Sequence, residues 1–283
     1  MPSIAFTLIG HNEAHNLPRA LESVRWADQL VYVDCASKDN SLVVASRYTE
    51  RVFGRPNLTN LNINKQYAID QATTDWVFYL DPDEVISPEL AQEIRRVIAS
   101  APAQNAFKLP RRNYYFGRWL RHGGQYPDTQ LRLFRRNMAY FPRKHVHERL
   151  EVKGAIGRLA LPMDHYTCDT PFIGISKLDF YTSFNAEVMA RSGRRAGPWT
   201  AVQFIVLMPL QRFVRRYVLK GGFLDGLPGL FACMLDSMDF PIRYFKFWYW
   251  TRHPEALPPA AQASSLAMPE AGETLGQPHR GRT

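Results

Sequence analysis

Four short runs rich in β-branched and aromatic residues recur in the first eighty positions, at residues 4–9, 30–33, 51–53 and 76–80, separated by stretches of helical spacing at 16–24, 41–48 and 63–72. A strand that returns parallel to its predecessor needs a crossover of about a dozen residues, and a helix is the usual one. The alternation therefore constrains the N-terminal half to an α/β fold with a doubly wound, mostly parallel sheet and right-handed crossovers. An amphipathic helix at 89–100 places Leu90, Ile94, Val97 and Ile98 on one face, and residues 106–109 and 130–134 read as further strands. The alternation fades after about Pro162.

Polar residues follow these runs at one predictable place. Asn12 and Glu13 come after the first, Asp34 after the second (with Ser37, Asp39 and Ser41 beyond it), and Asp81, Asp83 and Glu84 after the fourth. In an open α/β sheet the carboxyl ends of the strands form the ligand crevice. Asp81 and Asp83 lie two positions apart in a turn, so both can face one hard cation; Mg²⁺ or Mn²⁺ takes such oxygen ligands and fills its shell with substrate phosphates and water. Each residue also has a plain structural use: Asn12 and Asp39 as helix caps, Asp34 as a strand end, and the acidic turn as the lead into the helix start Ser87-Pro88-Glu89. Neither the Gly-x-Gly-x-x-Gly fingerprint nor a phosphate-loop Gly-x-x-x-x-Gly-Lys-Ser/Thr is present.

The net charge of +9 and pI of about 9.6 point to acidic partners such as phosphorylated substrates, an anionic membrane face or nucleic acid. Cys35, Cys168 and Cys233 are far apart and show no metal-ligand spacing, which fits a reduced, cytosolic setting. The first residues enter a strand-like run without a basic leader, so no secretory signal is expected. No uncharged apolar stretch approaches the ~18–20 residues of a spanning helix.

The last third differs in character. Helices are expected at 171–192, 199–218 and 227–238, rimmed by Arg191, Arg194, Arg195, Arg212, Arg215, Arg216 and Lys220 and followed by an aromatic cluster from Phe240 to Trp250. Apolar segments too short to span and edged with arginine suit the plane of an anionic membrane; packing on the catalytic domain or a partner subunit is the alternative, which leaves a homo-oligomer open. The expected division is a catalytic domain at 1–165, a helical amphipathic region at 166–253 and a disordered Pro-, Ala- and Gly-rich tail at 254–283.

Taken in order, Ile4-Ala5-Phe6-Thr7-Leu8-Ile9-Gly10-His11-Asn12-Glu13, Val33-Asp34-Cys35-Ala36-Ser37-Lys38-Asp39-Asn40-Ser41 and Trp76-Val77-Phe78-Tyr79-Leu80-Asp81-Pro82-Asp83-Glu84 resemble the N-terminal half of a family 2 glycosyltransferase of GT-A fold. The tract from Asn64-Lys65-Gln66 through Asp83-Glu84 and the later Gly222-Phe223-Leu224-Asp225-Gly226 resemble the branch that elaborates lipopolysaccharide core and related bacterial envelope glycans. The resemblance implies that Asn12, Glu13 and Asp34 hold the nucleotide base and ribose, and that Asp81 and Asp83 engage the ribose, the Mg²⁺ or Mn²⁺ ion and the diphosphate. Two departures stand out: Cys35-Ala36 replace a small polar residue and glycine, and Pro82 replaces alanine.

The implied reaction is metal-dependent, inverting transfer of a sugar from a nucleotide-sugar donor to a glycan or lipid-linked acceptor at the cytoplasmic face of the membrane. Such a transfer needs a base for the acceptor hydroxyl. By the resemblance Asp128 takes that position, with Glu148 as its rival; as a plain turn residue, Asp128 follows Pro127. Arg132 and Arg135 are candidate phosphate contacts. His145 and His147 alternate on one strand face, and His147 is a candidate to complete the metal shell or meet the diphosphate; His165 is a weaker metal candidate. The basic, aromatic stretch 111–120 suits sugar stacking as well as single-stranded nucleic acid, but no RNA-recognition or zinc motif accompanies it, so nucleic acid is not an expected partner. The competing readings are a sugar-phosphate nucleotidyltransferase, which would want a Gly-rich basic loop after the first strand, and a non-enzymatic basic membrane- or RNA-binding module.

Overall fold

The computed structural model describes residues 1–58, 60–142 and 149–257. In chain order its strands and α-helices are β1 Ile4–Gly10, α1 Leu17–Ser23, β2 Gln29–Cys35, α2 Ser41–Ala45, β3 Val52–Arg55, α3 Leu61–Asp70, β4 Trp76–Tyr79, β5 Glu84–Val85, α4 Pro88–Ala99 and β6 Ala106–Leu109. They continue as β7 Arg111–Tyr115, β8 Arg118–Trp119, β9 Gln130–Arg135, β10 Ala139–Tyr140, β11 Glu151–Val152, β12 Ile156–Arg158, β13 Met163–Cys168, α5 Pro171–Arg191, α6 Pro198–Val202, α7 Met208–Phe213 and α8 Gly226–Arg252.

The chain divides into two compact units. The first comprises Met1–Leu109 and Gln130–Met163. Its sheet runs β12-β6-β9-β4-β1-β2-β3. Strands β3, β2, β1 and β4 are mutually parallel, and β9 enters antiparallel between β4 and β6. Every residue of β1 is buried, the signature of a central strand covered on both faces. Phe6 stacks on Phe78 with ring centroids 4.8 Å apart, in a core that also holds Leu8, Tyr32 and Trp76. Helix α4 begins where the sequence says it should: Ser87 Oγ accepts from Leu90 N at 3.2 Å, Pro88 opens the first turn, and Leu90, Ile94 and Ile98 are buried. The α/β architecture thus agrees with expectation, with β9 as the antiparallel member of a mostly parallel sheet.

Of the described residues, the second unit comprises Pro110–Thr129 and 164–257. Residues 110–129 fall inside the domain expected at 1–165, yet they join the later helices because β7 is hydrogen-bonded between β13 and β8. The helix expected at 199–218 is continuous but not uniform: α6 and α7 alternate with wider π-helical turns at Gln203–Leu207 and Val214–Leu219. The segment expected at 227–238 and the aromatic cluster after it form one helix, α8, which runs through Pro241. A proline inside a helix costs about 3 kcal/mol; burial of Tyr244 and Phe247 with Phe204 and Ala186 in the core of this unit offsets it. Among the described residues no single helix is long and apolar enough to cross a membrane; Pro198–Leu219 and Gly222–Arg252 pass only as a pair, bent by 68°.

Candidate active site

In the first unit the carboxyl ends of β1, β2 and β4 carry the residues that the sequence singled out. β1 leads into Gly10, where a Cβ would stand 2.7 Å from Tyr32 Oη, so a larger residue cannot be accommodated without displacement. Asn12 follows with a left-handed backbone, φ 58°. Its side chain is a tie between loops: Oδ1 accepts from Lys38 N at 2.7 Å, while its own N–H donates to Ser37 Oγ at 2.9 Å. His11, which sequence reasoning passed over, has Nδ1 2.7 Å from the Cys35 carbonyl oxygen. A carbonyl only accepts, so Nδ1 carries the proton. Glu13 donates its N–H to Ser41 Oγ at 2.8 Å, and its carboxylate accepts from Asn16 Nδ2 at 2.8 Å. Ala36, in place of the glycine implied by the resemblance, also has a left-handed backbone at φ 55°, a conformation that costs an L-residue about 1–2 kcal/mol.

Asp34 is 6% exposed. Its Oδ2 accepts from Ser37 N at 3.0 Å, but Oδ1 is buried with no hydrogen-bond partner among the described residues. A buried acceptor left unpaired costs about 1–3 kcal/mol, so such atoms are rare unless a ligand satisfies them.

At the end of β4 the acidic turn is a knot of charge. Tyr79 Oη donates to Asp81 Oδ1, and Lys65 Nζ lies 3.6 Å from the same oxygen. Arg132, expected among the phosphate contacts, has its guanidinium buried between two carboxylates, 2.7 Å from Asp81 Oδ2 and 2.6 Å from Glu84 Oε1. Glu84 is fully buried and its Oε2 accepts from Asp81 N at 3.0 Å, closing the turn. Lys65 and Arg132 each lie 4.5 Å from the centre of the Tyr79 ring, one cation–π contact apiece. Burial works against ionisation of Asp81, but Lys65 and Arg132 more than offset it and hold the carboxyl well below its ordinary range. Burial likewise lowers the Lys65 pKa, with Asp81 opposing. Asp83 is half-buried one step beyond Pro82. Among the described residues no three His, Cys, Asp or Glu side chains converge as a ready-made metal cage. His147 and Glu148, with His145, lie outside the described residues.

Asp128 belongs to the second unit and forms its own network. Arg111 Nε and one terminal nitrogen donate to Asp128 Oδ2 at 2.9 and 2.6 Å, and Asn113 Nδ2 lies 3.2 Å from the same oxygen. Asn113 is itself buried, and its Oδ1 receives His165 Nδ1 at 2.6 Å. The geometry thus couples Asp128 to three residues that no motif connects. The available signal was the alternation Arg111, Asn113 on one strand face, with Arg112 and Tyr114 on the other. His165 accordingly serves Asn113. In the same unit, Asp225 is buried and accepts from His122 N at 2.8 Å, which anchors the Gly-rich turn of the envelope-glycan motif.

The family model for glycosyl transferase family 2 matches residues 8–161, more than half of the chain. The protein belongs to glycosyltransferase family 2. It is therefore an enzyme of the glycosyltransferase class, and the mixed α/β sheet is the GT-A fold of that family. Over 245 residues it is 24% identical to the lipopolysaccharide core biosynthesis glycosyltransferase LpsC of Rhizobium meliloti, covering 84% of this chain and 88% of the relative. It is 25% identical over 255 residues to an uncharacterized glycosyltransferase of Rickettsia felis, covering 83% and 88% respectively. Among solved structures it is similar to Staphylococcus aureus TarS 1–349, with a TM-score of 0.45 and 12% identity over 89% of this chain and 92% of that one. A second is glucosyl-3-phosphoglycerate synthase from Mycobacterium tuberculosis in complex with Mg²⁺ and uridine diphosphate, with a TM-score of 0.43 and 13% identity over 69% and 80%.

Proposed function

We propose that this family 2 enzyme catalyses inverting transfer of a sugar from a nucleoside-diphosphate donor to a glycan or lipid-linked acceptor of the bacterial envelope. The observation that carries the reading is Asp34: a buried carboxylate oxygen without a partner at the carboxyl end of β2 wants an N–H donor, and a nucleobase edge supplies one. Asn12 and Glu13 hold the loops around that position. Asp81, pinned by Tyr79, Lys65 and Arg132, is an ionised acceptor of fixed orientation that suits ribose hydroxyls.

The donor set is all oxygen, which fits Mg²⁺ or Mn²⁺. Because both Asp81 oxygens are already engaged, Asp83 would be the principal protein ligand, with substrate phosphates and water completing the shell. When bound, the ion offsets the negative charge that grows on the departing diphosphate. In the second unit, Arg111 and Asn113 keep Asp128 oriented as the base for an acceptor hydroxyl. Glu148 remains its rival.

Membrane docking of the second unit is part of the same proposal. Val202, Val206, Leu210, Val214 and Val218 recur every four residues and all are exposed. In a plain α-helix that spacing drifts around the axis; the widened π-helical turns keep it closer to one line. Leu219 and Leu227, 76% and 79% exposed, flank the bend, and Arg215 and Lys220 beside it suit anionic headgroups. A lipid-linked acceptor would make such a surface useful at the inner face of the membrane.

The test is nucleotide release by the purified protein from UDP-, GDP- and ADP-sugars with Mg²⁺ or Mn²⁺. Release from one nucleotide class, abolished in Asp83→Ala, is expected. No release together with no calorimetric binding of UDP, GDP or ADP overturns the reading.

A further inference from the structure

The second unit contains a cavity of about 320 Å³ that none of the site residues above lines. Its polar wall is formed by Tyr115, Gln125, Lys177, Arg216, Asp236 and Asp239. Its apolar wall includes Leu178 and Leu235, with the Tyr181 ring at the rim. The size is within the ~300–1,000 Å³ range of small-ligand pockets.

Strand alternation relates this cavity to Asp128. Arg111, Asn113 and Tyr115 share one face of β7, and His165 and Thr167 share one face of β13. The contacts bear this out, since Asn113 meets His165 on one face while Arg112 meets Asp164 and Tyr114 stacks on Tyr166 on the other. The face that holds Asp128 through Arg111 and Asn113 therefore continues, one strand step on, into the cavity at Tyr115 and Thr167. Gln125 joins the two directly: its backbone oxygen accepts from Asn113 Nδ2 at 3.0 Å, and the residue lines the cavity.

The chemistry of the wall narrows the ligand. Two cations, Lys177 and Arg216, and two acids, Asp236 and Asp239, line the cavity, and the acids are paired further, Asp236 with Arg212 at 3.3 Å and Asp239 with Arg243 at 2.8 Å. Arg216 is tied to Asp236 at 2.8 Å and to the Gly123 carbonyl at 2.6 Å, and Lys177 to the Thr167 carbonyl at 3.0 Å. These bonds hold the charged groups in place. Burial pushes the Tyr115 pKa up to about 12, so its hydroxyl stays a donor at neutral pH. Fixed acids that accept, a tyrosine that donates and an aromatic rim together match the alternating hydroxyls and apolar C–H face of a sugar ring.

We propose that this cavity is a subsite for a hydroxyl-rich saccharide, the acceptor glycan, held along the strand face that carries Asp128. The assignment of the saccharide as acceptor rests on the glycosyltransferase reading, but its binding does not. The experiment is saturation-transfer NMR on the full-length protein without any nucleotide donor, using a panel of methyl glycosides and disaccharides as probes. A saturable signal from at least one saccharide is expected, weakened at least tenfold in affinity by Tyr115→Phe combined with Asp239→Asn and kept in Asp83→Ala, which alters the other unit. Should the double variant lose its cooperative melt, Tyr115→Phe and Gln125→Ala are read singly.

Absence of any saturable saccharide signal, or an unchanged signal in the variants that fold, would overturn the proposal. Saccharide binding in a protein that releases no nucleotide would leave the cavity assignment standing and remove the donor reading instead.

Discussion

Replacing Arg132 by methionine removes the cation that buried Glu84 and half-buried Asp81 share. In the folded protein Lys65 and Arg132 balance Asp81 and Glu84; Arg132→Met leaves two carboxylates facing one ammonium. Glu84 is fully buried and loses a 2.6 Å charge-assisted bond, while Asp81 loses one of 2.7 Å. Breaking a buried pair on one side costs about 3–5 kcal/mol, because the surviving charge stays desolvated and unpaired. At about 2–4 °C per kcal/mol for a chain of this size class, the melting temperature should fall by roughly 10 °C at neutral pH.

The pH dependence gives a second check. Asp81 has a depressed pKa in the folded protein, so its contribution to stability is complete above the unfolded carboxylate pKa and is lost as pH falls through the lower folded value. The variant loses the part of that depression that Arg132 supplies beside Lys65 and Tyr79, and protonation relieves its uncompensated charge. Its deficit should therefore be largest near pH 7 and shrink toward pH 4. Thermal melts of wild type, Arg132→Met, Glu84→Gln and the double variant at pH 7, 5.5 and 4 measure this, with the double variant recovering part of the loss. A melting temperature within 2 °C of wild type at pH 7, or a deficit that grows on acidification, would refute the buried-cluster argument.

Asp128→Asn should lower turnover by about 10²–10⁴-fold while leaving donor affinity within twofold, measured by steady-state kinetics alongside calorimetry; Glu148→Gln run in parallel decides between the two bases. Gly229→Ala should destabilise by about 1–3 kcal/mol, since a Cβ there would overlap the Gly222 carbonyl oxygen and stand 2.7 Å from Asp225 Cβ; a chemical denaturation curve reads the change. Leu219→Ser with Leu227→Ser should reduce sedimentation with phosphatidylglycerol vesicles at least tenfold without changing the melting temperature; equal binding to neutral vesicles would argue against the arginine contribution.

Much of the first unit was legible because local chemistry and global packing agree there. Runs of β-branched and aromatic residues buried on both faces can only be central strands, and their ends put Asn12, Asp34 and Asp81 along one sheet edge. The start of α4 was equally plain, since Ser87, Pro88 and Glu89 act within one turn of each other. Boundaries in the C-terminal helices were not legible: Pro241 marks a stop by local preference, yet burial of Tyr244 and Phe247 carries α8 through it.

The order of residues alone set the α/β class, the edge at which polar groups gather and the family to which the chain belongs. Tertiary structure decided what those groups do to one another. Only the antiparallel insertion of β9 beside β4 brings Arg132 to Asp81, 51 positions apart, and converts an expected phosphate contact into the buried counter-ion of a half-buried acid. Only the pairing of β7 with β13 joins Asp128, Asn113 and His165. The reason is physical: hydrophobic periodicity and capping act over a few residues and are written locally, whereas ion pairing and hydrogen-bond satisfaction depend on which distant strands the sheet makes neighbours.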